Sequence, residues 1–417
     1  MTGRELLKST LDHKEVAGIS VDFGATAVSG IHVLCIKRLR EYYGLEKRPV
    51  KVIEPYQMLG GLDDDLKEAM GVTINGFTGI YSMFGFKFED WKPYRTLWGQ
   101  EVLVPGMFIT TPDENGGELI YPEGDTSVPP SGRMPKSGYF FDSIIRQGEF
   151  DEDDPDPEEN LEEFGLISDG DLVLIKNDID ALAKGDRGVI ANFGGTALGD
   201  IALVPAPMMK NPKGIRDVAE WYMSTVIRPD FVKAIFEKQV EIAIENLKRV
   251  YGAVGDSIQA AFTCGTDFGT QNSQFCSQEA FDELYLPYYK KVNDWIHTNT
   301  KWKIFKHSCG AVEPLLDNLI NAGFDIINPV QCSAAGMDPN HLKSKYGKDL
   351  VFWGGGVDTQ KTLPFGTPEQ VREEVKSRIE IFSKGGGFVF NTIHNIQADT
   401  PVENVAAMVE VIKSYQQ

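Results

Sequence analysis

His307 and Cys309 are the residues of this sequence whose types and spacing point most directly to chemistry. They follow the short run KIFK, which is typical of a β-strand. Side chains two positions apart on a strand point to the same face, so the imidazole and the thiol are expected to project together. This pair is a plausible zinc-binding unit at a strand end. The alternative is a hydrogen-bonded histidine beside a cysteine that only packs in the core.

A third metal ligand is expected from a neighbouring strand end. Cys332 closes the next run, DIINPVQC, after one intervening helix. Catalytic zinc sites take three protein ligands and leave a fourth position for substrate or water. The sequence therefore predicts a set of His307, Cys309 and Cys332, and Asp267 and His394 are the rivals for the third place.

Further polar residues follow other strand-like runs and are candidate catalytic residues. Asp267 follows AAFTCGT, Asp358 follows FWGGGV, and His394 follows FVFNTI. In a barrel enzyme the catalytic side chains come from the carboxyl ends of several strands. Asp267 is a further ligand, a general acid or base, or a helix cap, and Asp358 is alternatively a turn-capping residue.

Short β-forming runs alternate with helical patterns through the C-terminal half. The strands are expected at SIQAAFT, KIFK, DIINPV, LVFW and GFVFN. Thr367-Pro368-Glu369-Gln370 and Thr400-Pro401-Val402-Glu403 each read as a capping box at a helix start. Repeated strand–helix units predict a parallel sheet. No GxGxxG motif follows the first strand and no P-loop is present, which favours an α/β (β/α)₈ barrel over a nucleotide-binding sheet.

The N-terminal half is less regular. A first strand is expected at ISVDF (19–23), a helix over 30–43 and a strand over 72–76. Residues 94–108 and 118–121 alternate around the turn DENGG (113–117), which predicts an inserted antiparallel hairpin. The prediction is one barrel domain over residues 1–417 with an insertion at about 94–165. Several aromatic residues lie near the hairpin in the sequence, and they are expected either to line a substrate pocket or, more simply, to belong to the hydrophobic core. They are Phe84, Phe86, Trp91, Tyr94 and Trp98.

Composition narrows the classes of partner and location. The formal net charge of −20 opposes binding to phosphate backbones, so no nucleic acid partner is expected. No stretch of about 18 apolar residues and no signal-like N-terminus is present, which predicts a cytoplasmic protein without a membrane span. Five cysteines scattered through a long chain indicate a reducing compartment. The acidic run from Glu149 to Glu163 is read as a solvated loop or, alternatively, as a surface for a basic partner.

Three segments together resemble the uroporphyrinogen decarboxylase superfamily. They are HSCGAVEPLLDNLINAGFDIINPVQ, FWGGGVDTQ and GGGFVFNTIHNIQADTPVENVAAM. The resemblance is strongest to the branch of zinc- and corrinoid-dependent methyltransferases, and it runs from about Ser257 to the C-terminus and more weakly before that. The family's H-x-C zinc motif falls on His307 and Cys309.

The resemblance implies an enzyme that uses zinc to activate a small methylated substrate and passes the methyl group to a Co(I) corrinoid (cobalamin) on a partner protein. Two departures from the family bear on the reaction. Family members that act on coenzyme M carry a third cysteine in the last strand region, where this chain reads NTIHNIQ with His394. True decarboxylases carry an arginine-bearing segment near the N-terminus, whereas ISVDFGATAVSG has no arginine or lysine.

These departures favour O-demethylation of a methoxylated compound. The alternative is methyl transfer from a methylated corrinoid to a thiol. Decarboxylation of a porphyrinogen is less favoured because the chain is so acidic, and a non-catalytic binding barrel stays open because a fold does not determine a function. The sequence leaves open whether the chain forms a homodimer.

Overall fold

The computed structural model describes residues 1–148, 150 and 155–416. The strands of these residues, in chain order, are β1 (Ser20–Val21), β2 (Val50–Glu54), β3 (Leu59–Gly60), β4 (Ile74–Phe77), β5 (Lys92–Arg95), β6 (Glu101–Val104), β7 (Thr110–Pro112), β8 (Glu118–Ile120), β9 (Gly132–Met134), β10 (Asp142–Ser143), β11 (Gly188–Ala191), β12 (Ala260–Cys264), β13 (Lys303–His307), β14 (Ile326–Asn328), β15 (Val351–Trp353) and β16 (Phe388–Phe390).

The α-helices, in the same order, are α1 (Gly3–Leu11), α2 (Val33–Tyr42), α3 (Asp64–Met70), α4 (Asp169–Ala183), α5 (Val218–Ile227), α6 (Pro229–Val254), α7 (Gln278–Leu284), α8 (Leu286–Asn299), α9 (Leu316–Asn321), α10 (Pro339–Tyr346), α11 (Thr362–Phe365), α12 (Pro368–Phe382) and α13 (Val402–Ser414). Short 3₁₀ turns cover Pro122–Gly124, Pro157–Asn160 and Glu313–Leu315.

Eight parallel strands form the central sheet, in the order β1-β16-β15-β14-β13-β12-β11-β4. The two end strands meet where the Thr73 amide donates to the Val21 carbonyl (3.0 Å) and the Val21 amide donates to the Thr73 hydroxyl (2.8 Å). These bonds bring the edges together, and helices cover the outside. The predicted (β/α)₈ barrel is confirmed.

Large apolar side chains fill the barrel. Phe305 stacks on Phe262 with ring centroids 5.0 Å apart and meets Trp353 edge-on at 5.3 Å. Leu7 and Leu11 of α1 belong to the same interior cluster. α1 covers the amino-terminal end of the barrel, where Leu7 packs against Gly188 at the start of β11. Because the interior is a packed core, chemistry is confined to the opposite, carboxyl end.

The region before β11 contains more than one hairpin. β7 and β8 pair antiparallel around the turn at 113–117, so that part of the prediction is confirmed. The strands within 94–108 do not pair with β8, however. β5 and β6 pair with each other and β6 joins β2, giving a four-stranded sheet beside a second sheet ordered β10-β9-β8-β7. Phe84 and Phe86 pack here against Phe108 and Phe141, as core.

One of the two predicted capping boxes is present. The Thr367 hydroxyl accepts the Gln370 amide and the Gln370 side chain accepts the Thr367 amide, so α12 begins as expected. The prediction at Thr400 is wrong. There α13 begins at Val402 after Pro401, with no side-chain cap.

The acidic run lies partly outside the described residues, because Glu149 and residues 151–154 are not among them. Its far end is anchored. Glu163 forms a bidentate ion pair with the buried Arg216 (2.7 and 3.0 Å), and Asn160 bonds to the backbone of Ile215. The solvated-loop interpretation therefore does not extend to the end of the run. None of the helices in the described ranges is both long and apolar enough to cross a membrane.

We predict that His32 makes stability fall on acidification. Its Nδ1 accepts the Leu34 amide at the start of α2, and its Nε2 bonds to the Tyr139 carbonyl. Burial lowers its pKa from 6.5 to about 4. Between those values the unfolded chain binds a proton that the folded chain does not, so the free energy of unfolding falls as pH drops through this window.

The variant His32→Asn keeps a capping side chain and removes the titration. Urea unfolding at pH 4 to 6.5 measures how the free energy of unfolding depends on pH. For His32→Asn this slope should be smaller than for the native protein by about 1.4 kcal/mol per pH unit, which corresponds to one proton. Identical slopes for the two proteins would contradict this assignment.

Candidate metal centre at the carboxyl end of the barrel

His307 is the last residue of β13 and continues the inward face set by Phe305. Cys309 follows two residues later, as the alternation of a strand predicts. Its Sγ lies 3.4 Å from the His307 Nε2 atom. The two side chains therefore meet above the packed interior, at the end where barrel enzymes place their active sites.

His394, in the loop after β16, completes the group. Its ring centroid lies 5.8 Å from that of His307, and one ligand atom from each of His307, Cys309 and His394 lies within 4.8 Å of the others. The Thr392 hydroxyl donates to the His394 carbonyl (2.5 Å) and holds the turn that presents the ring. β13 and β16 are separated by two strands, so the ligands converge across the barrel opening.

Cys332, the predicted third ligand, does not join this group in the described part of the chain. Its Sγ contacts the Val330 carbonyl, and the nearby charges that affect its pKa include Arg378 and Glu374 of α12. The physical reason is that β14 ends at Asn328. Beyond that residue strand alternation no longer directs side chains, and Cys332 faces the helix layer instead.

The three side chains fit zinc. With bonds of about 2.0 Å to nitrogen and 2.3 Å to sulfur, a tetrahedral zinc places those two atoms about 3.5 Å apart. The observed separation of the His307 Nε2 and Cys309 Sγ atoms is 3.4 Å. Two imidazoles and one thiolate also leave one tetrahedral position open, which distinguishes catalytic sites from structural ones.

Asn328 determines which His307 nitrogen faces the group. The Asn328 Nδ2 atom donates to the Trp353 carbonyl (2.7 Å), so its Oδ1 atom is the one that faces His307. The His307 Nδ1 atom lies 2.6 Å from that oxygen and must donate. The Nε2 lone pair is therefore directed at Cys309, in the tautomer that a metal requires.

Asp267 lies beside the ligand pair. Its Oδ1 atom accepts the Cys309 amide (2.7 Å) and is 3.7 Å from the His307 Nε2 atom. In this position Asp267 fixes the backbone of Cys309 and places a negative charge next to the two ligands. Helix capping is not its role, because α7 is capped by Ser277.

Burial controls the charge of each ligand. It lowers the pKa of His307, and it lowers the pKa of His394 to about 4 with help from the neighbouring His307. Both imidazoles are therefore neutral near pH 7, the form that binds metal. Burial and the Asp267 carboxylate raise the pKa of Cys309 well above its usual range, so a cation is needed to stabilise the thiolate.

Asp358 contacts its own turn. Its Oδ1 atom accepts the amides of Gln360 (2.6 Å) and Lys361 (2.9 Å). These bonds correspond to the turn-capping alternative. A catalytic role for Asp358 is accordingly not part of our proposal.

Three further residues near the group were missed by the sequence analysis. Asp200, in the loop after β11, accepts the Ala202 amide at Oδ1 (3.0 Å). Its Oδ2 atom lies so close to Gly265 that a Cβ atom at position 265 would be 2.5 Å away. Burial raises the pKa of Asp200 to about 6, and the Asp267 charge adds to this effect. Tyr222 of α5 stacks on Phe275, with ring centroids 5.0 Å apart.

The Tyr222 hydroxyl is buried and has no hydrogen-bond partner among the described residues. Burial raises the pKa of Tyr222 to about 12, and the carboxylates of Asp267 and Asp200 add to this effect. The third residue, Lys306, is fully buried on the outer face of β13. Its Nζ atom donates to the Thr266 and His307 carbonyls and lies 5.0 Å from the Phe268 ring centre.

Comparisons with known proteins agree with this architecture. A family model described as Uroporphyrinogen decarboxylase (URO-D) matches residues 202–415, just over half of the chain. The solved structure of a methyltransferase from Methanosarcina mazei aligns over 100% of both chains with a TM-score of 0.56 and 13% identity, a likeness in fold.

Curated relatives match over shorter stretches. The uroporphyrinogen decarboxylase of Pseudoalteromonas atlantica is 31% identical over 211 residues, 47% of this chain and 56% of that protein. That of Pseudoalteromonas translucida is 33% identical over 145 residues, 33% of this chain and 38% of that protein. That of Actinobacillus succinogenes is 30% identical over 104 residues, 24% of this chain and 26% of that protein. The chain thus matches between about a quarter and just over half of the length of these relatives.

The geometry predicts that zinc binding depends on His307, Cys309 and His394. Replacing any one of them by alanine should remove stoichiometric zinc, because two ligands hold the ion too weakly to survive desalting. Metal analysis of each purified variant measures this. Cys332→Ser is the matched control and should retain zinc; loss of zinc in that variant, or a native protein without metal, would contradict the assignment.

Asn328→Leu tests the hydrogen bond that orients His307. The variant keeps all three ligands but leaves the His307 Nδ1 atom without its acceptor, so zinc affinity should fall about 10- to 100-fold. Competition with a chromophoric chelator gives the affinity. An unchanged affinity in a folded variant would show that Asn328 does not orient the ligand.

Proposed function

Because the chain belongs to the uroporphyrinogen decarboxylase family, we propose that it is a methyltransferase that demethylates a methoxylated compound and delivers the methyl group to a Co(I) corrinoid on a separate protein. The observation that carries the proposal is the group of His307, Cys309 and His394 at the barrel mouth. A two-imidazole, one-thiol site with an open side is suited to binding the oxygen that departs from a methyl group.

His307, Cys309 and His394 are the proposed zinc ligands. When bound, zinc supplies a Lewis acid that makes an ether oxygen a better leaving group. Asn328 keeps the His307 Nε2 lone pair free for this purpose. The Asp267 carboxylate accepts the Cys309 amide and so fixes the position of that ligand.

Electrons and protons balance as follows. The carbon–oxygen bond breaks with both electrons remaining on oxygen, and the methyl carbon accepts both electrons of Co(I), giving methyl-Co(III). The departing alkoxide or phenolate then needs one proton. Asp200 is our candidate donor, because its pKa of about 6 leaves it protonated in part of the molecules near neutral pH.

Methylation of a thiol by a methylated corrinoid is the second candidate. A site for that reaction benefits from several thiolates, because their negative charge makes a bound thiol substrate more nucleophilic. This chain has one cysteine and two neutral histidines in the group. The less negative ligand set favours activation of an uncharged ether oxygen.

Decarboxylation of a porphyrinogen is disfavoured by charge, although the curated relatives carry that name. A substrate with many carboxylates needs cationic partners. The segment from Ile19 to Gly30, which includes β1, contains neither lysine nor arginine. A non-catalytic barrel is the remaining alternative, and the metal analysis described above tests it together with the assay below.

We predict that the zinc-loaded protein converts a Co(I) corrinoid protein to its methyl-Co(III) form when a methoxylated aromatic is supplied. The corrinoid absorbance spectrum follows the conversion directly. Cys309→Ala should lower the rate to background, because the metal is lost, whereas Cys332→Ser should retain it. Activity with free thiols alone would overturn the direction of transfer, and no activity with either class would overturn the methyltransferase proposal.

A further inference from the structure

The charges around the proposed site bear on which methyl donors it accepts. The ligand atoms of His307 and His394 are directed at the proposed zinc position, so neither ring is available to pair with a substrate. Asp267 lies beside His307, and Asp200 is close enough to Asp267 for the two charges to interact. Neither carboxylate forms an ion pair with a lysine or arginine of the described chain. The wall of the site is therefore rich in hydrogen-bond acceptors and poor in cations.

Lys306 does not supply a cation that a substrate could reach. Among the described residues it is the one lysine or arginine whose charge acts on Asp200, His307 and Cys309. It lies behind the strand, because Phe305 and His307 take the inward face. Its ammonium group is held by the Thr266 and His307 carbonyls and is wholly buried. A substrate at the barrel mouth cannot reach it.

The site would still lack a cation for a substrate carboxylate after zinc has bound. With zinc bound, the Cys309 thiolate and the Asp267 carboxylate would offset its two positive charges. The ammonium group of Lys306 is held by two backbone carbonyls behind the strand and is not available to a substrate. No cation is left to receive a carboxylate of the substrate, and burying an unpaired carboxylate is costly.

The groups of the wall that could still bind a substrate are a hydroxyl, an aromatic ring and a carboxylate oxygen. The Tyr222 hydroxyl is buried without a partner, and its ring stacks on Phe275, which is 46% exposed. The Oδ2 atom of Asp200 packs against Gly265 and has no hydrogen-bond donor among the described residues. An aromatic surface beside a hydroxyl and a carboxylate oxygen suits an aromatic ring that carries hydroxyl or ammonium groups.

Resting on the proposed function, we infer that this site selects uncharged or cationic methoxylated aromatics and rejects carboxylated ones, with Asp200 and Tyr222 as the residues that discriminate. The selection is achieved by the absence of a cationic partner as much as by favourable contacts.

Three probes with the same methoxyphenol ring test this inference: vanillyl alcohol, vanillate and vanillylamine, which are neutral, anionic and cationic. Isothermal titration calorimetry of each with the zinc-loaded protein measures binding without any corrinoid. Vanillate should bind at least about tenfold more weakly than the alcohol, and the amine at least as tightly as the alcohol.

Variants of the wall should change this order in defined directions. Asp200→Asn should reduce the preference of the amine over vanillate several-fold, and Tyr222→Phe should weaken the alcohol without changing the charge preference. Phe275→Lys supplies the missing cation at a half-exposed position and should improve vanillate binding. Glu245→Gln, which removes one charge from the exposed side of α6, is the control and should change none of these affinities.

Two results would overturn the inference: vanillate bound as tightly as the alcohol by the native protein, or no binding of any probe. The binding series is independent of methyl transfer. If the predicted order of affinities is found but no corrinoid is methylated, the proposed function fails and the charge selection stands.

Discussion

The Asn328 side chain connects three adjacent barrel strands, and the orientation of the metal ligands depends on it. Its amide nitrogen donates to the backbone of β15 and its oxygen accepts from His307 on β13, while Asn328 itself ends β14. An amide can satisfy both neighbours in one orientation only. The tautomer of a ligand is thus set by the backbone of a strand two places away, so the register of the barrel and the direction of the His307 lone pair are coupled.

Burial then gives this geometry its chemical character. Above the packed interior, His307 is buried and Cys309 and His394 are partly buried. This burial keeps both imidazoles neutral and makes an uncompensated thiolate unfavourable. Asp267 adds negative charge at the same place. A divalent cation resolves these conflicts together, since it stabilises the thiolate, uses the neutral imidazoles and offsets the carboxylate.

The barrel and much of the candidate site could be predicted from the sequence, for reasons that also explain the errors. His307 and Cys309 are close in the chain, and strand alternation brings them together without further knowledge of the fold. The partner of this pair comes from a distant strand, and choosing Cys332 over His394 required knowing that β14 stops at Asn328. The short strand β11 was overlooked, and the loop that carries Asp200 was overlooked with it. Tyr222 lies on a helix whose pattern gave no sign of the site.

The packing of α1 against the amino-terminal end of the barrel has a kinetic consequence. Leu7 and Leu11 belong to the interior cluster, and rings such as Phe305 and Trp353 fill the space above them, so the described residues leave no second exit through the barrel. In the proposed reaction, the donor, the demethylated product and the carrier that accepts the methyl group would all use one opening. A docked carrier would cover that opening. Turnover of the proposed reaction is therefore compulsory in order: the donor enters before the carrier docks, and the carrier departs before the demethylated product can leave.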